Sequence, residues 1–101
     1  MTHDEIARVE VRWVWPDGRE VPGVIVVARP SYGDDGWSCL AALEGLPTAG
    51  PGPIAGEDAL QSLTLALTMV RRALDHFPAQ GGRVRDTEGN AFSVAAYFPP
   101  W

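Results

Sequence analysis

The stretch Gly56-Glu57-Asp58-Ala59-Leu60-Gln61-Ser62-Leu63-Thr64-Leu65-Ala66-Leu67-Thr68-Met69-Val70, running on to Phe77, limits the fold more than any other part of the chain. Leu60, Leu63, Leu67, Val70, Leu74 and Phe77 recur at three- and four-residue steps, the mark of a helix with one apolar face. That face must be buried against something, and three strand-like runs precede it. The carboxylates of Glu57 and Asp58 favour a helix start near Gly56 or Glu57, where they meet the positive end of the dipole. Pro78 predicts an end near Phe77, with Arg71, Arg72 and His76 in the last turns, where positive charge is favoured. Leu65 and Met69 fall outside the stripe; if exposed, they would face a partner or a second copy.

Ahead of the helix, Ile6 to Trp15 alternates: Val9, Val11, Trp13 and Trp15 share one face, and Arg8, Glu10, Arg12 and Val14 the other. Pro16-Asp17-Gly18-Arg19 suits a type I turn with a left-handed glycine, hence a hairpin. Val21 to Arg29 is the return strand, and its Val24-Ile25-Val26-Val27 run predicts a central position. Pro22 and Gly23 predict a bulge or a late start there. A polar loop from Arg29 to Gly36 leads to a third strand, Trp37 to Leu43, with Trp37, Cys39, Ala41 and Leu43 on one face.

Gly45, Pro47, Gly50, Pro51, Gly52, Pro53 and Gly56 crowd the next connection, which predicts no regular element before the helix. After it, Gly81-Gly82 breaks the chain, and Val84 and Phe92 to Tyr97 read as two short strands around the Thr87-Glu88-Gly89-Asn90 turn. The expected fold is one α+β domain over residues 1–101. It has an antiparallel sheet, a three-strand meander plus one or two C-terminal strands, packed against one long helix.

Chemistry is thin in this sequence. A net charge of -5 disfavours nucleic acid, because phosphate neutralisation needs a basic face. All eight basic residues are arginine, so no side-chain amine is available for Schiff-base work. Cys39, His3 and His76 cannot assemble a structural zinc site, and Asp34-Asp35 before Gly36 reads as a solvated turn rather than a cation loop. No serine sits in a strand-to-helix elbow, and Gly50-Pro51-Gly52-Pro53 replaces amide donors with prolines where a phosphate loop would need them. Cys39, among apolar neighbours on its strand, reads as a small buried hydrophobe. No catalytic residue and no cofactor is expected. Lone Cys39 allows no intramolecular disulfide, and the N-terminal residues lack a signal pattern. No apolar run is long enough for a bilayer, so a cytoplasmic location is expected.

The aromatic residues are more suggestive, with four tryptophans in 101 residues. Trp13 and Trp15 are expected in the core facing the helix. Tyr32 and Trp37 bracket Asp34 and Asp35, and aromatic side chains beside carboxylates have the composition of a protein-binding patch.

The pattern resembles a small bacterial family described as a domain of unknown function. The residues that carry the resemblance are Ile6-Ala7-Arg8, Arg29-Pro30, Trp37-Ser38-Cys39, Glu44-Gly45-Leu46 and, above all, Gly56 to Leu63 with Leu65-Ala66-Leu67. Ser62 and Leu40-Ala41-Ala42 depart from the family pattern, which has alanine at the first position and a more polar run at the second. The resemblance implies the fold and brings no catalytic residue.

The expected function is non-enzymatic protein binding, most concretely an immunity- or antitoxin-type inhibitor acting by stoichiometric association with a basic, toxin-like partner. Tyr32, Asp34, Asp35 and Trp37 would form its contact, with Glu57 and Asp58 adding to the field. A self-associating assembly module, such as a homodimer through the outer helix face or a sheet edge, is the alternative. A small-ligand binder with a cleft lined by Trp13 or Trp15 is another.

Overall fold

The computed structural model describes residues 4–46 and 52–98. His3, residues 47–51 of the Gly/Pro-rich connection, and Pro99-Pro100-Trp101 lie outside them. The elements are β1 (Glu5–Val14), β2 (Glu20–Ala28), β3 (Ser31–Gly33), β4 (Gly36–Glu44), β5 (Gly52–Gly56), α1 (Ala59–Ala79), β6 (Arg83–Arg85) and α2 (Val94–Tyr97). Six strands make one antiparallel sheet packed against one long helix, the α+β arrangement expected.

The register explains the order. Ala41 pairs with both Val27 of β2 and Gly52 of β5, so those strands flank β4 on opposite sides. Trp37 likewise pairs with both Tyr32 and Gly56, which puts β3 on the β2 side, continuing the line of β2 beyond Pro30. Across the sheet the strands therefore run β5, β4, β2 with β3, β1, β6. The helix leaves one edge and returns the chain to the other, where Arg83–Arg85 pair with Arg12–Val14.

The first hairpin forms as its turn residues dictate. Trp15 and Arg19 close it with a 2.8 Å bond, and Gly18 takes φ 90°. No bulge occurs at Pro22 or Gly23, where pairing with β1 is regular from Glu20 onward. Pro22 lies outside the stretch of β2 that pairs with β4, so no β4 partner there calls for its missing N–H. Gly23 answers to packing instead, since a Cβ there would run into the indole of Trp13. That indole is fully buried and donates its N–H to the Glu44 carbonyl at 2.8 Å. Trp13 and Trp15 both meet Phe77 edge-on, at 5.9 and 5.2 Å between centroids. Trp13 is a core residue facing the helix, and Trp15 packs half-buried against the same core, on the side their strand parity implies.

Three segments depart from expectation. Ser31–Gly33, expected within a polar loop, is a short strand paired with residues 36–38. Gly52–Gly56 is a strand despite its glycines and Pro53, because an edge strand needs ladder bonds on one side only. Val94–Tyr97 is one helical turn rather than a strand, capped by the Ser93 hydroxyl, which accepts the Ala96 N–H at 3.3 Å. The return before it is a single bridge of Ala91 to Arg85, with backbone bonds from Asp86 to Asn90 and from Phe92 to Val84 on either side.

The helix runs from Ala59 to Ala79, starting and ending later than its sequence signals suggest. Asp58 is the N-cap, its carboxylate accepting the Gln61 N–H at 2.7 Å, and Gln61 accepts the Glu57 N–H at 2.7 Å. Pro78 sits in the last turn, where losing one backbone bond is tolerated. Gly81 then takes φ 94°, and the N–H groups of Gly81 and Gly82 bond the Pro78 and Phe77 carbonyls in a Schellman closure.

The apolar stripe is also rotated. Ser62, Ala66, Val70, Leu74 and Phe77 are the buried residues, while Leu60 is 70% exposed and Leu63 and Leu67 are half-buried. The small residues lead because α1 lies close over β4 and β5. A Cβ at Gly56 would strike the Ser62 backbone, and the Ser62 hydroxyl is satisfied by the Ala59 carbonyl at 3.0 Å. Leu65 is exposed and Met69 half-buried on the outer side.

Candidate functional site

The β3–β4 hairpin closes through Gly33 opposite Gly36, which leaves Asp34 and Asp35 as its two-residue tip. Gly36 takes φ 95°, a conformation that a residue with a Cβ rarely adopts. Both aspartates are exposed. Just behind the tip, Tyr32 and Trp37 stand directly across the ladder and meet edge-on with centroids 5.5 Å apart. Tyr32 is 72% exposed, whereas Trp37 is half-buried. Tyr32 therefore stands largely in solvent with Trp37 packed against it.

On the other side of β4, Gly56 pairs with Trp37, so the chain that leaves β5 as Glu57 and Asp58 emerges at the same end of the sheet. The register thus brings together the residues singled out in the sequence: Tyr32, Asp34, Asp35, Trp37, Glu57 and Asp58. They are not equivalent. Asp58 is committed to capping α1, while the Asp34, Asp35 and Glu57 carboxylates project from exposed residues. Among the described residues the ion pairs are Glu5–Arg8, Asp4–Arg29 and Asp75–Arg71, none of which touches this corner. Asp34, Asp35 and Glu57 thus enter no ion pair among the described residues.

The groups that could do chemistry are held elsewhere. Cys39 is buried, and its thiol donates to the Ala28 carbonyl at 3.3 Å. Burial pushes that thiol up from its ordinary value, away from the reactive thiolate. His76 is exposed near the C-terminal end of α1. No three His, Cys, Asp or Glu side chains among the described residues come together as metal ligands would. No helix among them is long and apolar enough to cross a membrane.

One feature had no sequence signal. Between α1 and the β1–β2 half of the sheet runs an open apolar groove of about 460 Å³, lined by Val9, Ile25, Val27, Leu67, Phe92 and Phe98 among others. It is not the tryptophan-lined cleft that a ligand-binding reading called for, because Trp13 and Trp15 are spent on Phe77. Phe92 and Phe98 reach the groove only because α2 folds back toward α1, which their spacing does not announce.

The chain matches the model of a domain of unknown function (DUF6968) over residues 16–92 and belongs to that family. No curated protein and no solved structure matches it. The matched span runs from the first turn through β6, leaving β1 and α2 outside it.

Proposed function

We propose that this DUF6968 member is a non-enzymatic protein-binding domain that holds a basic partner against the acidic, aromatic corner of its sheet. The supporting observation is the register of β4 with β3 and β5, which gathers Tyr32, Trp37 and the free carboxylates of Asp34, Asp35 and Glu57 at one end. An exposed tyrosine on a rigid hairpin supplies contact area at low entropic cost. The surrounding carboxylates would steer a positively charged protein and speed its association. In its most concrete form the domain is a stoichiometric inhibitor of the immunity or antitoxin kind, covering a toxin-like protein's basic surface. The closed environment of Cys39 and the solvated position of His76 favour binding over catalysis.

The test compares wild type with an Asp34→Asn/Asp35→Asn/Glu57→Gln variant, each immobilised against a lysate of the native host at low and high salt. A basic protein should be captured by wild type at low salt, and its recovery should drop at least about tenfold with the variant and with high salt. Equal capture by both proteins would remove this reading.

The groove favours a second reading, a small apolar ligand between helix and sheet. Its volume suits a compact aromatic or a medium-length chain. A thermal-shift panel of such compounds in which none raises the melting temperature would dispose of it.

A further inference from the structure

β2 pairs with β1 along nearly its whole length, but β6 covers the other side only at Arg12–Val14. From Ala7 to Val11 the outer edge of β1 has no strand partner among the described residues. The bare stretch is bounded by a register shift between Glu5 and Ala7 at one end and by the Arg12–Arg85 pair at the other. Glu5, Ile6, Ala7 and Arg8 are exposed, Ile6 to 52%.

The opposite edge of the sheet is guarded. β5 carries Pro53 and has a glycine at each end, a poor template for a new strand. β1 carries neither proline nor glycine. Its guards are the register shift beside Ala7 and the charges of Arg8 and Glu10, so it pairs with another strand only when one of complementary charge is offered.

The fitting pattern is its own. Ala7-Arg8-Val9-Glu10-Val11 laid antiparallel on a second copy about Val9 sets Arg8 opposite Glu10 and Glu10 opposite Arg8 on the outer face. On the helix side, Ala7 meets Val11 and Val9 meets Val9. Moving the axis one residue either way stacks Arg8 on Arg8 or Glu10 on Glu10, which like charge opposes. Val9 is also the midpoint of the bare stretch, so charge and geometry select the same register.

We propose that two copies of this chain pair through the Ala7–Val11 edge of β1, antiparallel about Val9, joining their sheets into one. Ala7 and Val9 line the apolar groove of each copy, so the pairing brings the two grooves together across the axis. The surface shares no residue with the acidic corner and stands or falls apart from the proposed function.

Sedimentation equilibrium on wild type, Arg8→Glu, Glu10→Arg and the double swap tests it, from about 10 µM to about 1 mM protein at low salt. Both side chains are exposed, so all four proteins should give the same circular dichroism spectrum. Wild type should dimerise reversibly, and each single swap should weaken the dimer about tenfold or more, by turning two attractive pairs into two repulsive ones. The double swap should restore it. A wild type that stays monomeric throughout overturns self-pairing. A double swap no better than the singles overturns the register.

Discussion

Over β4 and β5, α1 sits so close that glycine, serine and alanine are the residues that fit. Over β1 and β2, the same helix stands off and leaves a groove. In the first half Gly56 touches the backbone of Ser62, and Ser62 and Ala66 are wholly buried. In the second, larger side chains such as Leu67 are only half-buried, and Thr64, Thr68 and Arg71 stand at the rim. The difference teaches that one sheet is used in two ways: β4 and β5 take the helix through small residues, whereas β1 and β2 meet it through larger buried side chains, Trp13 against Phe77 among them, and leave apolar surface open beside them.

Three substitutions or conditions probe that contrast. The largest effect is expected at Gly56→Ala, because the added methyl collides with backbone rather than with a side chain that can turn aside. It should lower stability by about 2–3 kcal/mol in urea unfolding, with an unchanged m-value. A loss under about 0.5 kcal/mol would mean that the helix can lift away and that the close half is not close by necessity.

Next comes the alkaline response of Cys39, which lies on β4 beneath the close half. Burial raises its folded pKa above the usual 9.0, so the unfolded chain loses the thiol proton first. Stability should therefore be unaffected by this group below pH 9 and fall above it, by at most about 1.4 kcal/mol per pH unit. Cys39→Ala should flatten that limb. If both proteins decline alike between pH 9 and 10, the thiol is not the cause.

The smallest change is Thr68→Leu in the open half. The Thr68 hydroxyl bonds only to the Thr64 carbonyl of its own helix, and the groove has room for the larger side chain. The variant should be neutral or more stable by about 0.5 kcal/mol. A destabilisation beyond about 1 kcal/mol would show that the groove is tighter than its volume implies.

The parts of the fold legible in the sequence were those set by short-range rules. Pro16-Asp17-Gly18 specifies its hairpin locally, and the alternation of Val9, Val11 and Trp13 marks one face without reference to any neighbour. The helix announces itself by period, but not by phase. Its leucines suggested a stripe through Leu60, whereas the buried line runs through Ser62 and Ala66, because the distance to the sheet decides which size of residue fits. β5 was hidden for a related reason: glycine and proline argue against a strand on their own, and only the partner β4 makes Gly52–Gly56 one. Within the candidate site, composition pointed to Tyr32, Asp34, Asp35 and Trp37. Their meeting with Glu57 depended on pairing across β4, and Asp58 proved to be a helix cap. The groove and the bare edge of β1 are defined by what fails to cover them, and no run of residues encodes that.

β4 is bonded on its flanks by β2, β3 and β5, whereas β1 gains β6 only by joining Trp13 to Val84 from far along the chain. Closing short loops costs less entropy than closing a long one, so the β3–β4–β5 ribbon can assemble while β6 is still searching. Amide protons along β4 should be the slowest to exchange with solvent, and those of β6 among the quickest. On that order of exchange, the acidic corner would belong to the persistent part of the molecule and the far edge to the part that opens first.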